Sequence, residues 1–263
     1  MYPGAVPLAC QVCYAGVIGN EILSRLWKDD LKMVSEKLLY WASKPVVKTY
    51  SNVMLDLDVE RRAAPPGGAK IFAPNHPTTT DPFFVAAMVG EQSFILINNL
   101  LFQVPILGTY LRRSGHIPVK AGEGQQAIDR ALEYLDKGYN IIIFPEGALS
   151  PEEGGFCKPR TGVARLALAS GAPVIPVGIH LDKSRVHTVR STVKGQVEYG
   201  RWYLRGPYAM TAGEPLFFHG DAEDREQVRS VSSTIMHHII ELARESEIRL
   251  TRTPNALGTL ASA

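Results

Sequence analysis

The sequence NIIIFPEG, residues 140–147, carries the strongest indication of the fold class. Ile141 to Phe144 form a continuous apolar run, which is typical of a strand buried on both faces in a parallel sheet. Pro145 and Gly147 then predict a turn, so Glu146 lies at the carboxyl end of the strand. Loops at this edge of a parallel α/β sheet commonly carry functional groups, so the segment also indicates where a site should lie.

Apolar segments of strand length alternate with helical patterns on both sides of this run. Strands are predicted at residues 70–74, 94–97, 140–144 and 173–179, and helices at residues 82–89, 100–111, 125–137 and 162–169. Gly90, Gly138 and Gly171 follow three of these helices, as expected where a helix ends. The alternation predicts an α/β fold with a central, mostly parallel sheet flanked by helices.

An amphipathic helix is predicted ahead of this domain, at residues 22–50, where apolar residues including two tryptophans are interleaved with five lysines. This pattern suits a helix packed on the core and equally a helix lying at a membrane interface. A Pro-Pro-Gly-Gly turn at residues 65–68 separates it from the sheet. The sequence thus divides into an N-terminal helical, membrane-proximal arm (1–64), an α/β domain (65–253) and a frayed tail (254–263).

Composition excludes several classes of protein. Of the 263 residues, 45% are hydrophobic and 21% charged, which is typical of a globular chain and not of a disordered one. The 28 basic and 26 acidic residues give a net charge of +2, so we expect no nucleic acid partner. Three cysteines are too few for a disulfide framework and indicate a reducing compartment. Cys10 and Cys13 lack further ligands at zinc-binding spacing, so we expect no metal.

Residues 92–111 contain no charged side chain and are long enough to span a bilayer. Asn98, Asn99, Pro105 and Gly108 interrupt this stretch with polar and helix-breaking residues. We therefore interpret it as a buried strand followed by a short helix, with a transmembrane span as the alternative.

The strand at 70–74 runs into the sequence NHPTTTDP, residues 75–82. A histidine that ends a buried strand, with a carboxylate five residues later, forms a possible general base and its orienting acid. The carboxylate of Asp81 would fix the tautomer of His76 and leave the other ring nitrogen to accept a proton. The alternative is structural, because Asp81 followed by Pro82 is also a good start for a helix.

Four motifs in a fixed order make the pattern distinctive. They are NHPTTTD (75–81), VPILGTYLRRSGHIPVK (104–120), FPEG (144–147) and APVIPV (172–177). Together they resemble the motifs of the glycerophospholipid acyltransferase superfamily, which includes the lysophosphatidate acyltransferases. The resemblance implies a glycerol-3-phosphate acyltransferase-like fold and an enzyme that moves a fatty acyl group from acyl-CoA or acyl carrier protein to a hydroxyl of a lyso-lipid such as 1-acylglycerol-3-phosphate. The resemblance implies no cofactor for this enzyme.

The resemblance also implies roles for residues of this chain. His76 becomes the general base, oriented by Asp81. The residues expected to bind substrate are Asn75, Glu146, Gly147, Lys120, Lys158 and Arg160. Such an enzyme meets its acceptor at a membrane surface, so the expected location is peripheral, at the cytoplasmic face.

Two motifs depart from the family pattern. Leu149 stands where members with a phosphate-bearing acceptor usually have an arginine, and Asn98 and Ala121 replace a lysine and an arginine of the second motif. An arginine fork is the natural group for gripping a phosphomonoester. Either basic residues elsewhere substitute for it, or the acceptor is a glycolipid, an aminoacyl lipid or a lysophospholipid diester. The candidate substitutes are Arg112, Arg113, Lys120, Lys158 and Arg160.

Two basic tracts are also present, at residues 112–120 and 183–205. The second has six basic residues against one acidic residue, Glu198. It is interpreted either as a solvated loop and hairpin or as a surface that attracts anionic lipid headgroups or the phosphates of coenzyme A. Rival functions are a catalytically silent lipid-binding protein and a metal hydrolase that uses His76 and Asp81 as ligands, although the latter lacks further ligands.

Overall fold

The computed structural model describes residues 45–193 and 195–252. Most of the predicted amphipathic helix, the Cys10–Cys13 pair and the predicted tail at 254–263 lie outside these residues. Residues 45–54 are helical, so the described end of the predicted helix extends four residues beyond residue 50.

Nine strands lie within these described residues, in chain order. They are β1 (Leu55–Arg61), β2 (Ile71–Pro74), β3 (Ser93–Asn98), β4 (Ile117–Val119), β5 (Asn140–Ile142), β6 (Val174–Leu181), β7 (Val186–Val193), β8 (Gln196–Tyr203) and β9 (Gly206–Ala212). Seven of them form one sheet in the order β1-β9-β6-β2-β5-β3-β4, and β7 and β8 form a separate antiparallel hairpin. The five strands from β6 to β4 are parallel, β9 is antiparallel to β6, and β1 is parallel to β9. The predicted mostly parallel α/β sheet is confirmed.

Helices cover both faces of this sheet. They are α1 (Asp81–Val89), α2 (Leu107–Arg113), α3 (Gly124–Asp136), α4 (Gly162–Ser170) and α5 (Arg225–Arg252). Successive residues of a strand face opposite sides of the sheet and join different hydrophobic cores. Ile141 packs with residues of α3, α4 and α5, whereas Ile142 packs with residues of α1. Each such fully buried side chain stabilises the fold by about 1.5–3 kcal/mol. This two-sided burial explains why the strand sequence is apolar without alternation.

The predicted helix at 100–111 is wrong in one respect, because the structure divides it in two. A 3₁₀ turn, Asn99–Gln103, and helix α2 are separated by Ile106, whose φ is 66° and ψ is −60°. The Leu107 N–H donates to the Pro105 carbonyl at 2.7 Å, which closes a γ-turn of the rare, strained type. Among the described residues, no helix combines the length and the apolar character needed to cross a bilayer.

Three elements correct or extend the sequence interpretation. The segment 55–61, assigned to the helical arm, is edge strand β1, because its backbone pairs in register with β9. Helix α5 had no predicted counterpart, although its buried residues recur along one face from Val228 to Ser246. The basic tract at 183–205 contains a 3₁₀ turn, Lys183–Arg185, and the β7–β8 hairpin.

Candidate active site

The carboxyl ends of the neighbouring strands β2 and β5 place two of the motifs side by side. The His76 N–H donates to Glu146 Oε1 at 2.9 Å, and the Ser150 N–H donates to the His76 carbonyl at 2.8 Å. These bonds join segments that are about 70 residues apart in sequence. The site therefore lies at the sheet edge that NIIIFPEG predicted.

His76 and Asp81 form a hydrogen-bonded pair. His76 Nδ1 lies 3.2 Å from Asp81 Oδ2, and because a carboxylate oxygen is an acceptor, the proton of the neutral ring sits on Nδ1. This tautomer leaves Nε2 free to accept a proton. The imidazole stacks on the Phe144 ring with centroids 4.1 Å apart, and its side chain is 17% exposed, so it is both oriented and reachable.

Asp81 is fully buried and its carboxylate has four donors. Besides His76, Oδ2 accepts from the Thr78 N–H at 2.6 Å, and Oδ1 accepts from the Thr78 and Tyr208 hydroxyls at 2.5 Å and 2.8 Å. These bonds offset the cost of burying a charge. Asp81 is the first residue of α1 and accepts from a residue that precedes the helix, so it does not act as the helix cap.

Tyr208 completes this arrangement from strand β9. Burial, followed by the charge of Asp81, raises the pKa of Tyr208 well above its ordinary value, so the phenol keeps the proton that it donates. Tyr208 and Asp81 are 127 residues apart in sequence. The tyrosine had no sequence signal, because nothing near it indicates that β9 passes beside the β2–α1 loop.

Glu146 is buried and both carboxylate oxygens are occupied. Oε1 accepts from the Ser150 hydroxyl at 2.7 Å as well as from His76, and Oε2 accepts from the Cys157 N–H at 2.7 Å. The glutamate thus ties the β5 turn to the β2 loop and to the segment before α4. Gly147 lies beside it with φ of 63°, and a Cβ there would come within 2.4 Å of the Arg160 side chain. Only glycine allows Arg160 to pack so closely on the turn.

Asn75 is buried, and its amide links two strands. It donates to the Ile179 carbonyl at 3.0 Å and accepts from the Ile179 N–H at 2.6 Å. This pair of bonds continues the β2–β6 ladder past the end of β2.

The predicted lysines lie at the surface. Lys120 follows β4, pairs with Glu123 at 3.0 Å and lies on the same sheet edge as His76. Strand β4 is three places from β2 in the sheet, which at strand spacing is about 14 Å. Lys158 is exposed near Arg160. The structure therefore brings Arg160 to the β5 turn and leaves Lys120 at a distance from it.

The hairpin contributes contacts that the sequence did not reveal. The Thr79 N–H donates to the Arg201 carbonyl at 2.7 Å, and the Arg201 N–H donates to the Thr79 hydroxyl at 3.0 Å. The Arg201 guanidinium donates to the Ser150 carbonyl. Strand β8 therefore contacts both the loop that contains Thr79 and the turn that ends at Ser150. Within residues 45–193 and 195–252, no group of three or more His, Cys, Asp or Glu side chains is arranged to hold a metal.

The site lies within a stretch of the chain that is similar to known proteins. The family model described as Acyltransferase matches residues 56–180, a range that contains His76, Asp81 and Glu146. Over this range, which is just under half of the chain, the sequence is similar to members of the glycerophospholipid acyltransferase superfamily. The match to the family model ends before β8 and β9, so it includes neither Arg201 nor Tyr208.

Curated relatives of this chain are similar to it over part of their length. The chloroplastic 1-acyl-sn-glycerol-3-phosphate acyltransferases of Brassica napus and Arabidopsis thaliana are each 26% identical over 110 residues, which is 41% of this chain. The chain spans less than a third of those relatives, 31% and 30% respectively. A crystal structure of the 1-acyl-sn-glycerophosphate acyltransferase PlsC from Thermotoga maritima superposes with a TM-score of 0.56 at 19% identity, covering 90% of both chains. This likeness confirms the predicted fold.

Proposed function

We propose that this protein is an O-acyltransferase that moves a fatty acyl group from a thioester donor, acyl-CoA or acyl carrier protein, to a hydroxyl of a lyso-lipid such as 1-acylglycerol-3-phosphate. The observation that carries the proposal is the hydrogen-bonded His76–Asp81 pair at the carboxyl edge of the sheet, with a histidine side chain that is partly exposed. The names of the curated relatives support the acceptor class.

The chemistry uses one base and no covalent enzyme intermediate. His76 Nε2 takes the proton of the acceptor hydroxyl as its oxygen attacks the thioester carbonyl, and Asp81 stabilises the resulting imidazolium. Collapse of the tetrahedral intermediate breaks the C–S bond, and the departing thiolate receives the proton from His76. The products are an ester and a free thiol, so atoms and charges balance.

The contacts of Asn75 and Glu146 favour an organising role over direct substrate binding. All their side-chain polar atoms have protein partners, and both residues are buried. We therefore assign acceptor binding to the exposed face of the β5 turn and to the basic residues around it. An acceptor without a phosphomonoester stays the alternative, because Leu149 and Ala121 replace arginines of the family pattern.

The test is an acceptor panel with purified protein, acyl-CoA and several lyso-lipids, read by thiol release and by mass spectrometry of the product. His76→Ala should lower the rate by about 10²–10⁴-fold, because the base acts in the attacking step. His219→Ala, an exposed histidine after β9, is the control. Equal rates for the wild type and His76→Ala would show that the base is assigned wrongly. Lipid binding without thiol release from any donor would favour the catalytically silent alternative.

We also infer that the protein binds the cytoplasmic leaflet peripherally. The β7–β8 hairpin exposes Val189, Val197 and Tyr199, and it lies in the basic tract at 183–205. Apolar residues flanked by basic ones suit an anionic lipid surface. Flotation with anionic liposomes should weaken when Lys183, Arg185 and Arg190 are changed to Gln. Binding that is insensitive both to these changes and to salt would contradict an electrostatic contribution.

A further inference from the structure

Arg201 is a partly buried cation at the centre of the site. Its backbone holds Thr79, in the loop between His76 and Asp81, and its guanidinium donates to the Ser150 carbonyl. Among the residues that the structure describes, no carboxylate pairs with it. A guanidinium has five N–H donors, and one carbonyl does not use them all. Partial burial removes some of the hydration of this positive charge, so an anion that binds there would be stabilised by it.

Arg160, from the segment before α4, contacts the other end of the same turn. The backbone N–H of Arg160 donates to the Pro145 carbonyl at 2.8 Å, and the Arg160 side chain packs on Gly147. No carboxylate in the described part of the chain pairs with Arg160 either. The two arginines therefore flank the turn 146–150, Arg160 at its start and Arg201 at its end.

The Cys157 thiol lies close enough to both arginines to be affected by their charges. Burial is the main reason that the pKa of this thiol is raised, and the positive charges of Arg201 and Arg160 both oppose the rise. Both guanidiniums thus act on the same small region, next to the buried Glu146, whose charge is already satisfied by backbone and hydroxyl donors.

We propose that Arg201 and Arg160 form a phosphate-binding pair beside His76, with Arg201 delivered by the hairpin. The proposal rests on the acyltransferase function for the identity of its ligand. In this proposal Arg201 takes the place of the arginine that the family pattern has at Leu149. Its guanidinium reaches the carbonyl of the next residue, Ser150, from strand β8. The ligand is a phosphate of the lipid acceptor or of coenzyme A.

The first experiment measures anion binding directly. Glycerol 3-phosphate and adenosine 3′,5′-bisphosphate are titrated calorimetrically into the wild type, Arg201→Gln, Arg160→Gln and the control Arg229→Gln, which removes an exposed charge from α5. Loss of a charge-assisted bond should weaken binding of one of the two probes about tenfold or more for Arg201→Gln. The more exposed Arg160 should have a smaller effect, and Arg201→Lys should restore part of the affinity.

The second experiment separates binding from positioning. Lysophosphatidate is compared with monoacylglycerol as acceptor, and acyl-CoA with the acyl thioester of N-acetylcysteamine as donor. If KM of Arg201→Gln or Arg160→Gln rises above the wild-type value for lysophosphatidate only, the arginine pair binds the acceptor phosphate. If it rises for acyl-CoA only, the pair binds the donor phosphate. An equal loss of kcat with every substrate, together with unchanged affinity for both probes, would overturn the proposal and leave Arg201 a purely structural residue.

The two proposals fail separately. If the wild type transfers no acyl group to any acceptor, the acyltransferase function is wrong, and the calorimetric series alone then decides the arginine pair. Probe binding that is the same in the wild type, Arg201→Gln and Arg160→Gln would refute the pair even if acyl transfer is robust.

Discussion

Two buried tyrosines, one on each side of the β8–β9 connection, differ in the partner of their hydroxyl. Tyr208 donates to the Asp81 carboxylate at 2.8 Å, whereas Tyr203 donates to the Pro207 carbonyl at 2.6 Å. Bonds to charged groups are the stronger ones, and a buried acceptor that loses its donor is costly. The arrangement of the His76–Asp81 pair therefore depends on a donor from the distant strand β9.

Tyr208→Phe should lower the free energy of unfolding by about 1.5–3 kcal/mol, because it removes a donor from a buried carboxylate. Tyr203→Phe is the matched control and should cost only about 0.5–1.5 kcal/mol, since its partner is neutral. Urea denaturation of the two variants measures both values. A larger loss for Tyr203→Phe would contradict the role given to the Tyr208–Asp81 bond.

The γ-turn at Ile106, between the 3₁₀ turn and α2, has a strained backbone conformation. A β-branched residue at positive φ is strained, by about 1–3 kcal/mol, and this side chain is 87% exposed, so packing does not compensate. The turn is followed by Gly108, where a Cβ would lie 2.0 Å from the Phe102 carbonyl oxygen. The close approach of the 3₁₀ turn and α2 forces the chain into this conformation.

Ile106→Gly should raise the free energy of unfolding by about 1 kcal/mol, because relief of strain exceeds the entropy that glycine loses on folding. Ile248→Gly, at an exposed position of α5, is the matched control and should lower it by about 1 kcal/mol, since glycine disfavours helix interiors. Chemical denaturation compares the two. Destabilisation by Ile106→Gly as large as that by Ile248→Gly would show that the turn is not strained.

The stability of the whole molecule should depend on pH through His116. Burial lowers the pKa of His116 to about 4, and its Nδ1 accepts the Ile95 N–H at 3.3 Å, so the folded protein holds it neutral. In the unfolded chain the pKa is about 6.5, so the unfolded state binds more protons between these values. This contribution is complete above pH 6.5 and is lost as the pH falls toward 4.

The unfolding free energy of the wild type should fall by up to about 3 kcal/mol between pH 6.5 and 4 from this group alone. His116→Gln should flatten that slope, whereas His219→Gln, at an exposed position, should not. Part of the slope should survive in His116→Gln, because burial also lowers the pKa of His180. The same slope in the wild type and His116→Gln would contradict the assignment.

Patterns that are local in sequence were enough to predict four of the five strands from β6 to β4, three of the helices beside them and the His76–Asp81 pair. Strands β2, β5 and β6 and helices α1, α3 and α4 lie within two residues of their predicted bounds, because burial on a strand or helix imposes a short period. The departure at Leu149 was visible in the same way, since it lies inside a motif.

Contacts between distant segments were decided only by the tertiary structure. Strand β9 enters the sheet antiparallel to β6 and carries Tyr208 to Asp81, and β8 carries Arg201 to Ser150, 51 residues away. No periodicity encodes such pairings, because they depend on how the sheet orders its strands and where the hairpin docks. The sequence alone therefore determined which histidine and which aspartate form the hydrogen-bonded pair. The fold determined which donors hold that partner and which arginines surround the turn beside it.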